Sequence, residues 1–171
     1  MRPLLAFLST TISKSMPTPR LRAWYLRRMG AQIGTNSRIH AIDFVNAECG
    51  FEGLRIGSDC YIGPGVLIDL SGEVRIDDGA VISSRAILMS HDDPGSAHQS
   101  PLCAHFPPAR RTTLVGRYCW LGVGSIVLAG SEIGDQSVLA AGSVARGKLE
   151  AHGLYAGHPA MLKRTLVDGA E

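Results

Sequence analysis

The sequence has no Cys-x-x-Cys pair. Its four cysteines, Cys49, Cys60, Cys103 and Cys119, stand at irregular intervals. That argues against a zinc site or a disulfide framework and fits a reduced, cytoplasmic setting. The chain has no marked excess of charge: seventeen Lys and Arg face fifteen Asp and Glu, a net of +2, so nucleic acid is not an expected partner. It has no long hydrophobic run either. Leu4-Leu5-Ala6-Phe7-Leu8 is far shorter than the roughly 20 apolar residues that cross a bilayer. No convincing small-residue cleavage site follows, so a signal peptide is not expected. At 171 residues the chain has the length of one domain.

What is present is a period of six. Six hexads run without a break from Val115-Gly116-Arg117-Tyr118-Cys119-Trp120 to Ala145-Arg146-Gly147-Lys148-Leu149-Glu150, each with an aliphatic first residue. The fifth residues are Cys119, Ser125, Ser131, Ser137, Ser143 and then Leu149. Six is neither the helical period of 3.6 nor the strand period of 2. A short fixed period marks a solenoid. If each hexad forms one flat face, three hexads close a triangular turn of about eighteen residues, and stacked turns bury a continuous apolar column. The first position then supplies the large inward side chain. The fifth points in near a corner, where only a small side chain fits, and Cys60 and Cys119 read as core thiols there. Gly or a small polar residue beside the corner suits a positive φ.

Upstream the pattern recurs in other phases. Ile33, Ile39 and Val45 form one block; Ile56, Ile62 and Ile68 a second; Ile76, Ile82 and Leu88 a third. Between them lie an insertion at 46–55, a two-residue slip near Ser71–Glu73, and a long excursion from about residue 89 to 114. That excursion carries His91, His98 and His105 and the pair Arg110-Arg111. Loops on a rigid scaffold concentrate function, and long ones are usually lids or binding elements.

The N-terminal segment predicts a helix from Pro19 to Met29, with Pro17 and Pro19 at its start and Gly30 at its end. Leu21, Trp24, Tyr25 and Leu26 interleave there with Arg20, Arg22, Arg27 and Arg28. It reads first as a cap on the open end of the solenoid. The alternative is a basic interfacial segment, giving residues 1–29 peripheral contact with an anionic membrane face.

These hexads, with the form Ile/Leu/Val-Gly-x-x-small-x, resemble the hexapeptide-repeat acyltransferases over about residues 30–165. The resemblance implies an all-β solenoid, a left-handed parallel β-helix, although the usual crossover rule favours the other hand. The expected division is a helical segment at 1–32, the β-helix at 33–150 with its extruded loop, and a C-terminal tail with a short helix at 151–171.

Within that family the chain is similar to the sugar and exopolysaccharide O-acetyltransferases at two places: His91, where the chain leaves a coil, and Trp120-Leu121-Gly122-Val123. The resemblance implies acetyl-CoA as co-substrate, a saccharide acceptor from an exopolysaccharide, lipopolysaccharide or related glycan, and direct transfer with no metal. His91 would be the general base, since imidazole, with a pKa of about 6.5, can take the proton of an attacking hydroxyl. Asp92 or Asp93 would orient it. The backbone N–H of Val123 would stabilise the oxyanion. An acyl-enzyme on Cys103 is the minor alternative.

The ending Ala156-Gly157-His158-Pro159-Ala160 resembles the family's Ala-Gly-Asn-Pro-Ala, with His158 in place of Asn. It implies a coenzyme A groove along Trp120, Ala141 and Gly142. Arg146, Lys148, Lys163 and Arg164 would serve its phosphates, and Tyr155 or His158 its adenine. Asp69 and Trp120 are the expected acceptor contacts, although Asp69 can equally be a corner residue. The family also implies a homotrimer with sites between subunits. The weighed alternatives are a non-saccharide acceptor (an antibiotic, serine or an amino sugar), a non-catalytic scaffold, and a γ-carbonic-anhydrase-like metalloenzyme using three histidines.

Overall fold

The computed structural model describes residues 10–166. The apolar run at residues 4–8 and the last five residues of the tail lie outside them. The hexads build three parallel sheets wound into a left-handed β-helix of about six turns. Each first-position residue stacks on its counterpart one turn away. One inward ladder is Ile33, Ile56, Ile76, Val115, Ile133 and Leu149. The second is Ile39, Ile62, Ile82, Leu121, Leu139 and Tyr155. The third is Phe44, Ile68, Leu88, Val127 and Ala145. The third ladder starts at Phe44, one residue earlier than the period predicts from Val45, and Ile42 is drawn into the core beside it.

The fifth position behaves as its small residues require. Ser125, Ser131, Ser137, Cys60 and Cys119 are buried, and the Ser137 hydroxyl donates to the Glu150 carbonyl at 3.1 Å. Burial pushes the Cys119 thiol up to about 11 and the Cys60 thiol in the same direction, so both are inert core thiols. The residue before the fifth turns the corner with positive φ, as at Asn36, Asp59, Gly124 and Gly142. Leu121, at the centre of its ladder and fully buried, should cost about 2–5 kcal/mol when cut to Ala. A urea midpoint that falls at unchanged slope would read this out.

The three outer faces differ. The first carries Gln32, Arg55, Arg75, Leu114, Glu132 and Lys148. The second carries Arg38, Tyr61, Val81, Trp120, Val138 and Leu154. The third is an apolar stripe of half-buried Leu67, Ile87, Ile126 and Val144.

Helix α1, Pro19–Arg28, closes the first turn. Thr18 Oγ1 caps it by accepting from Leu21 N at 3.2 Å, and Arg22, Ala23 and Leu26 are its buried residues. No helix among the described residues is long and apolar enough to cross a membrane. Among the described residues, which reach 166, the tail forms no helix. Gly153–Ala156 and Met161–Thr165 make an antiparallel hairpin instead. The last turn of the second sheet leaves a row of unpaired backbone groups, and the returning strand covers that edge.

Candidate active site

All three interruptions of the period fall at the same corner, where the third face passes into the first. They occur on successive turns, so the residues that open them stack. Asn46 follows Val45, which pairs in register with Asp69. One turn on, Ile68 pairs with Leu88, which sets Ser90 and His91 just past Asp69. The local slips do the rest. Asn46 takes a left-handed conformation with φ 57° as the first insertion begins, which Asn tolerates. The slip after Asp69 turns the Ser71 N–H back onto Asp69 Oδ1 at 3.1 Å.

Asp69 is fully buried and five donors converge on its carboxylate. Oδ1 also accepts from Asn46 Nδ2 at 2.8 Å. Oδ2 accepts from Ser90 N at 2.9 Å, Ser90 Oγ at 2.9 Å and His91 Nδ1 at 2.5 Å. Burial alone would raise its carboxyl pKa. The hydrogen bonds from Asn46, His91 and the backbone of Ser90 and Ser71 outweigh burial and hold it well below the usual carboxylate range. An ionised carboxylate only accepts, so the proton in its bond to His91 sits on Nδ1. In the neutral ring Nε2 then carries the lone pair, and it has no partner among the described residues. The His91 side chain is 26 % exposed and lines a cavity of about 610 Å³ together with Asn46, Glu48, Ser71, Asp93 and Arg110.

The excursion is an ordered element. His91–Asp92 pairs antiparallel with Ala109–Arg110, Arg111 N donates to Ser90 O at 2.8 Å, and Thr113 Oγ1 donates to Met89 O at 2.6 Å. This clamp fixes the backbone on either side of His91. The acidic neighbours do other work than the sequence predicts. Asp92 reaches Arg111 at 3.3 Å. Asp93 accepts from Ser96 Oγ and the backbone of Ser96 and Gly95, bonds that hold its carboxyl below the usual range. Neither is hydrogen-bonded to His91, although the ring's charge also bears on Asp93. The carboxylate on the ring is Asp69, whose burial and five donors leave no oxygen for a sugar hydroxyl.

The other predicted residues lie elsewhere. Trp120, Val123, Ala141 and Gly142 occupy the corner between the second and third faces. There Trp120 is 53 % exposed and its Nε1–H donates to Ser83 Oγ at 3.0 Å. Val123 accepts from Gly142 N at 2.9 Å through its carbonyl, and its own N–H has no acceptor among the described residues. A side chain at Gly124 or Gly142 would meet nothing within 4 Å, so this edge is open. His158 Nε2 is hydrogen-bonded to the Gly142 carbonyl. Lys163 and Arg164 stand on the closing hairpin, where Tyr155 is buried and donates its hydroxyl to Glu150 O at 2.9 Å. Lys148 pairs with Glu150 at 3.1 Å on the charged face. Only Arg146 shares the His91 side of the molecule, in a groove of about 370 Å³ with Asp92, Arg111 and Gly130.

His98 and His105 are exposed and make no contact with His91. No group of three His, Cys, Asp or Glu side chains is placed to hold a metal ion among the described residues. Cys103 does not line the His91 cavity.

Comparison with known proteins agrees with this architecture. Residues 113–144 match the family model described as the hexapeptide repeat of succinyl-transferase. WcaF of Escherichia coli K12, named for acetyl transfer in colanic acid biosynthesis, is 32 % identical over 151 residues, covering 87 % of this chain and 77 % of WcaF. Among solved structures, the hexapeptide-repeat-containing acetyltransferase VCA0836 of Vibrio cholerae superposes with a TM-score of 0.83 at 18 % identity, over 96 % of this chain and 90 % of that one. A galactoside acetyltransferase in complex with coenzyme A superposes with a TM-score of 0.80 at 22 % identity, over 96 % and 80 %.

Proposed function

The chain belongs to the hexapeptide-repeat acetyltransferases, and from that premise we propose that it moves an acetyl group from acetyl-CoA to a saccharide hydroxyl, with His91 as the base. The observation that carries this is the His91–Asp69 pair: a ring held by a buried carboxylate, its second nitrogen unpaired at a polar cavity. Nε2 takes the proton of the acceptor hydroxyl as that oxygen attacks the thioester carbonyl carbon. The carbon–sulfur bond then breaks, and the departing thiolate recovers the proton from His91. Asp69 keeps the ring in the productive tautomer and offsets its transient positive charge. Asn46 and Ser90 hold Asp69. The acceptor is a sugar of an exopolysaccharide or lipopolysaccharide, in keeping with the role for which WcaF is named.

One chain does not assemble the whole site. The base stands at one edge of the third face; the open backbone edge with Val123 N–H and Gly142 stands at the other. That third face is the apolar stripe of Leu67, Ile87, Ile126 and Val144. Three copies packed by these faces around an axis would bring the His91 corner of each to the Val123 corner of the next, with the coenzyme A arm along the open edge between them. Val123 N–H would then face the developing oxyanion. Arg146, Lys163 and Arg164 would meet the coenzyme's phosphates.

Ile126→Glu puts a charge at the centre of that stripe. Light scattering should show the wild type at three times the 18.2 kDa chain and the variant as a monomer with little activity. A wild-type monomer that transfers acetyl groups would contradict the arrangement. The enzyme would act in the cytoplasm, with its N-terminal segment at the inner face of the membrane. An acceptor screen with acetyl-CoA, following thiol release over free sugars, nucleotide sugars and lipid-linked oligosaccharides, tests the reading. Release with a non-saccharide acceptor and none with any sugar would overturn the saccharide assignment.

A further inference from the structure

The charge of this chain is distributed unevenly. Residues 1–42 hold seven of the seventeen Lys and Arg and no Asp or Glu, whereas residues 43–171 hold ten basic and all fifteen acidic residues. A near-neutral total hides a cationic end.

The structure sorts those cations. Arg22 is buried and each of its three nitrogens donates: Nε to Ser13 O at 2.7 Å, Nη1 to Ile39 O at 2.8 Å and Nη2 to Met16 O at 2.6 Å. It staples residues 10–16 onto the first turn. Arg27 ties α1 itself to the first turn through Ile33 O and Gly34 O. Lys14 pairs with Asp43. Arg20 and Arg28 remain exposed on α1; Arg20 Nη2 donates to Asn36 Oδ1 at 3.3 Å, and neither guanidinium pairs with a carboxylate among the described residues.

Between these two cations the outer surface of the cap is apolar. Ile12 is 46 %, Leu21 39 % and Trp24 49 % exposed. Leu21, Trp24 and Arg28 share one side of the helix by their spacing, and the Arg28 guanidinium lies 5.3 Å from the Trp24 ring centre. Ile12, Met16, Pro17 and Leu21, with Thr11 and Ser15, line a shallow and mainly apolar groove of about 300 Å³. An exposed tryptophan beside arginine, above an apolar groove and with no nearby carboxylate on the helix, has the chemistry of a surface seated at the headgroup level of an anionic bilayer.

We propose that the outer face of the N-terminal cap, centred on Ile12, Leu21 and Trp24 and flanked by Arg20 and Arg28, docks on anionic phospholipid. Headgroup phosphates meet the two guanidinium groups. Trp24 lies at the interface, and the groove receives acyl-chain methylenes. The prism axis then stands away from the membrane. This surface is independent of the acyl-transfer reading.

Co-sedimentation of the full chain with vesicles tests it. Binding should be strong with a mixture of phosphatidylglycerol and phosphatidylcholine, weak with phosphatidylcholine alone, and reduced as salt is raised. Arg20→Glu with Arg28→Glu should weaken binding by at least about tenfold. Leu21→Ser with Trp24→Ala should do the same at an unchanged melting temperature, since these side chains face solvent. Equal binding to both vesicle types overturns the proposal. So does full binding by the Leu21/Trp24 variant, which would move the contact to another segment. A Leu21/Trp24 variant that keeps vesicle binding but changes oligomeric state would show that a second copy occupies this face.

Discussion

Replacing His91 by Ala should lower turnover by about 10²–10⁴-fold, the range by which a positioned general base accelerates proton transfer. Coenzyme A affinity should stay nearly unchanged, because the proposed contacts of the coenzyme are the Val123 N–H, the open edge at Gly142 and the Arg146, Lys163 and Arg164 side chains, and not the imidazole. The variant should also fold normally. His91 is part-exposed and lies outside the apolar column, so its removal leaves the ladders intact. Steady-state rates and a coenzyme A titration on the same preparation separate the two effects. Turnover that survives would remove His91 from the chemistry.

Asp69→Asn should be nearly as damaging, and for a reason specific to this corner. Both oxygens of Asp69 face only donors: Asn46 Nδ2 and Ser71 N on one side, Ser90 and His91 on the other. An amide must turn its NH₂ toward one set or the other, so a donor meets donors in a buried space. That should cost about 1–3 kcal/mol of stability. If the NH₂ faces His91, Nδ1 must accept a hydrogen bond rather than donate one, so the ring proton moves to Nε2 and that nitrogen loses its lone pair. Turnover should fall about 10²-fold or more. The stability difference should also depend on pH. The folded carboxyl titrates below the ordinary value of about 3.9, so the wild-type advantage is complete above that pH and fades as pH falls below it. Melting temperatures of both proteins from neutral pH down to acid would show the curves converging. Parallel curves would mean that Asp69 is not held ionised by its neighbours.

The repeat was legible because its physics is local. An aliphatic first residue and a small fifth residue, as in Leu121 with Ser125 or Ile133 with Ser137, state the core and the corner without reference to the rest of the chain. The break at His91 was legible for the same reason. What the sequence did not show is that the break near Asn46, the two-residue slip after Asp69 and the long excursion share one corner. That follows only when turns of unequal length are stacked, so Asp69 read as an acceptor contact while the adjacent Asp92 and Asp93 looked like the partners of His91. Distance along the chain misled: Asp69 precedes His91 by a full turn and touches it. The spacing from Asn46 to Asp69 to His91, close to one turn plus its insertion each time, was the available signal. The C-terminal strand escaped for a similar reason, since the unpaired sheet edge that draws Met161–Thr165 into the hairpin exists only in the assembled solenoid.

The central claim is that Asp69 fixes the proton on Nδ1 of His91 and so leaves Nε2 as the base. Nitrogen-15 NMR of histidine-labelled protein, with the His91 signals assigned by their loss in His91→Gln, locates that proton directly at a pH where the ring is neutral. The account predicts a protonated Nδ1 and a bare Nε2, with the Nδ1 proton shifted far downfield by its short bond to the carboxylate. A proton found on Nε2 would leave no base at the cavity and would contradict it.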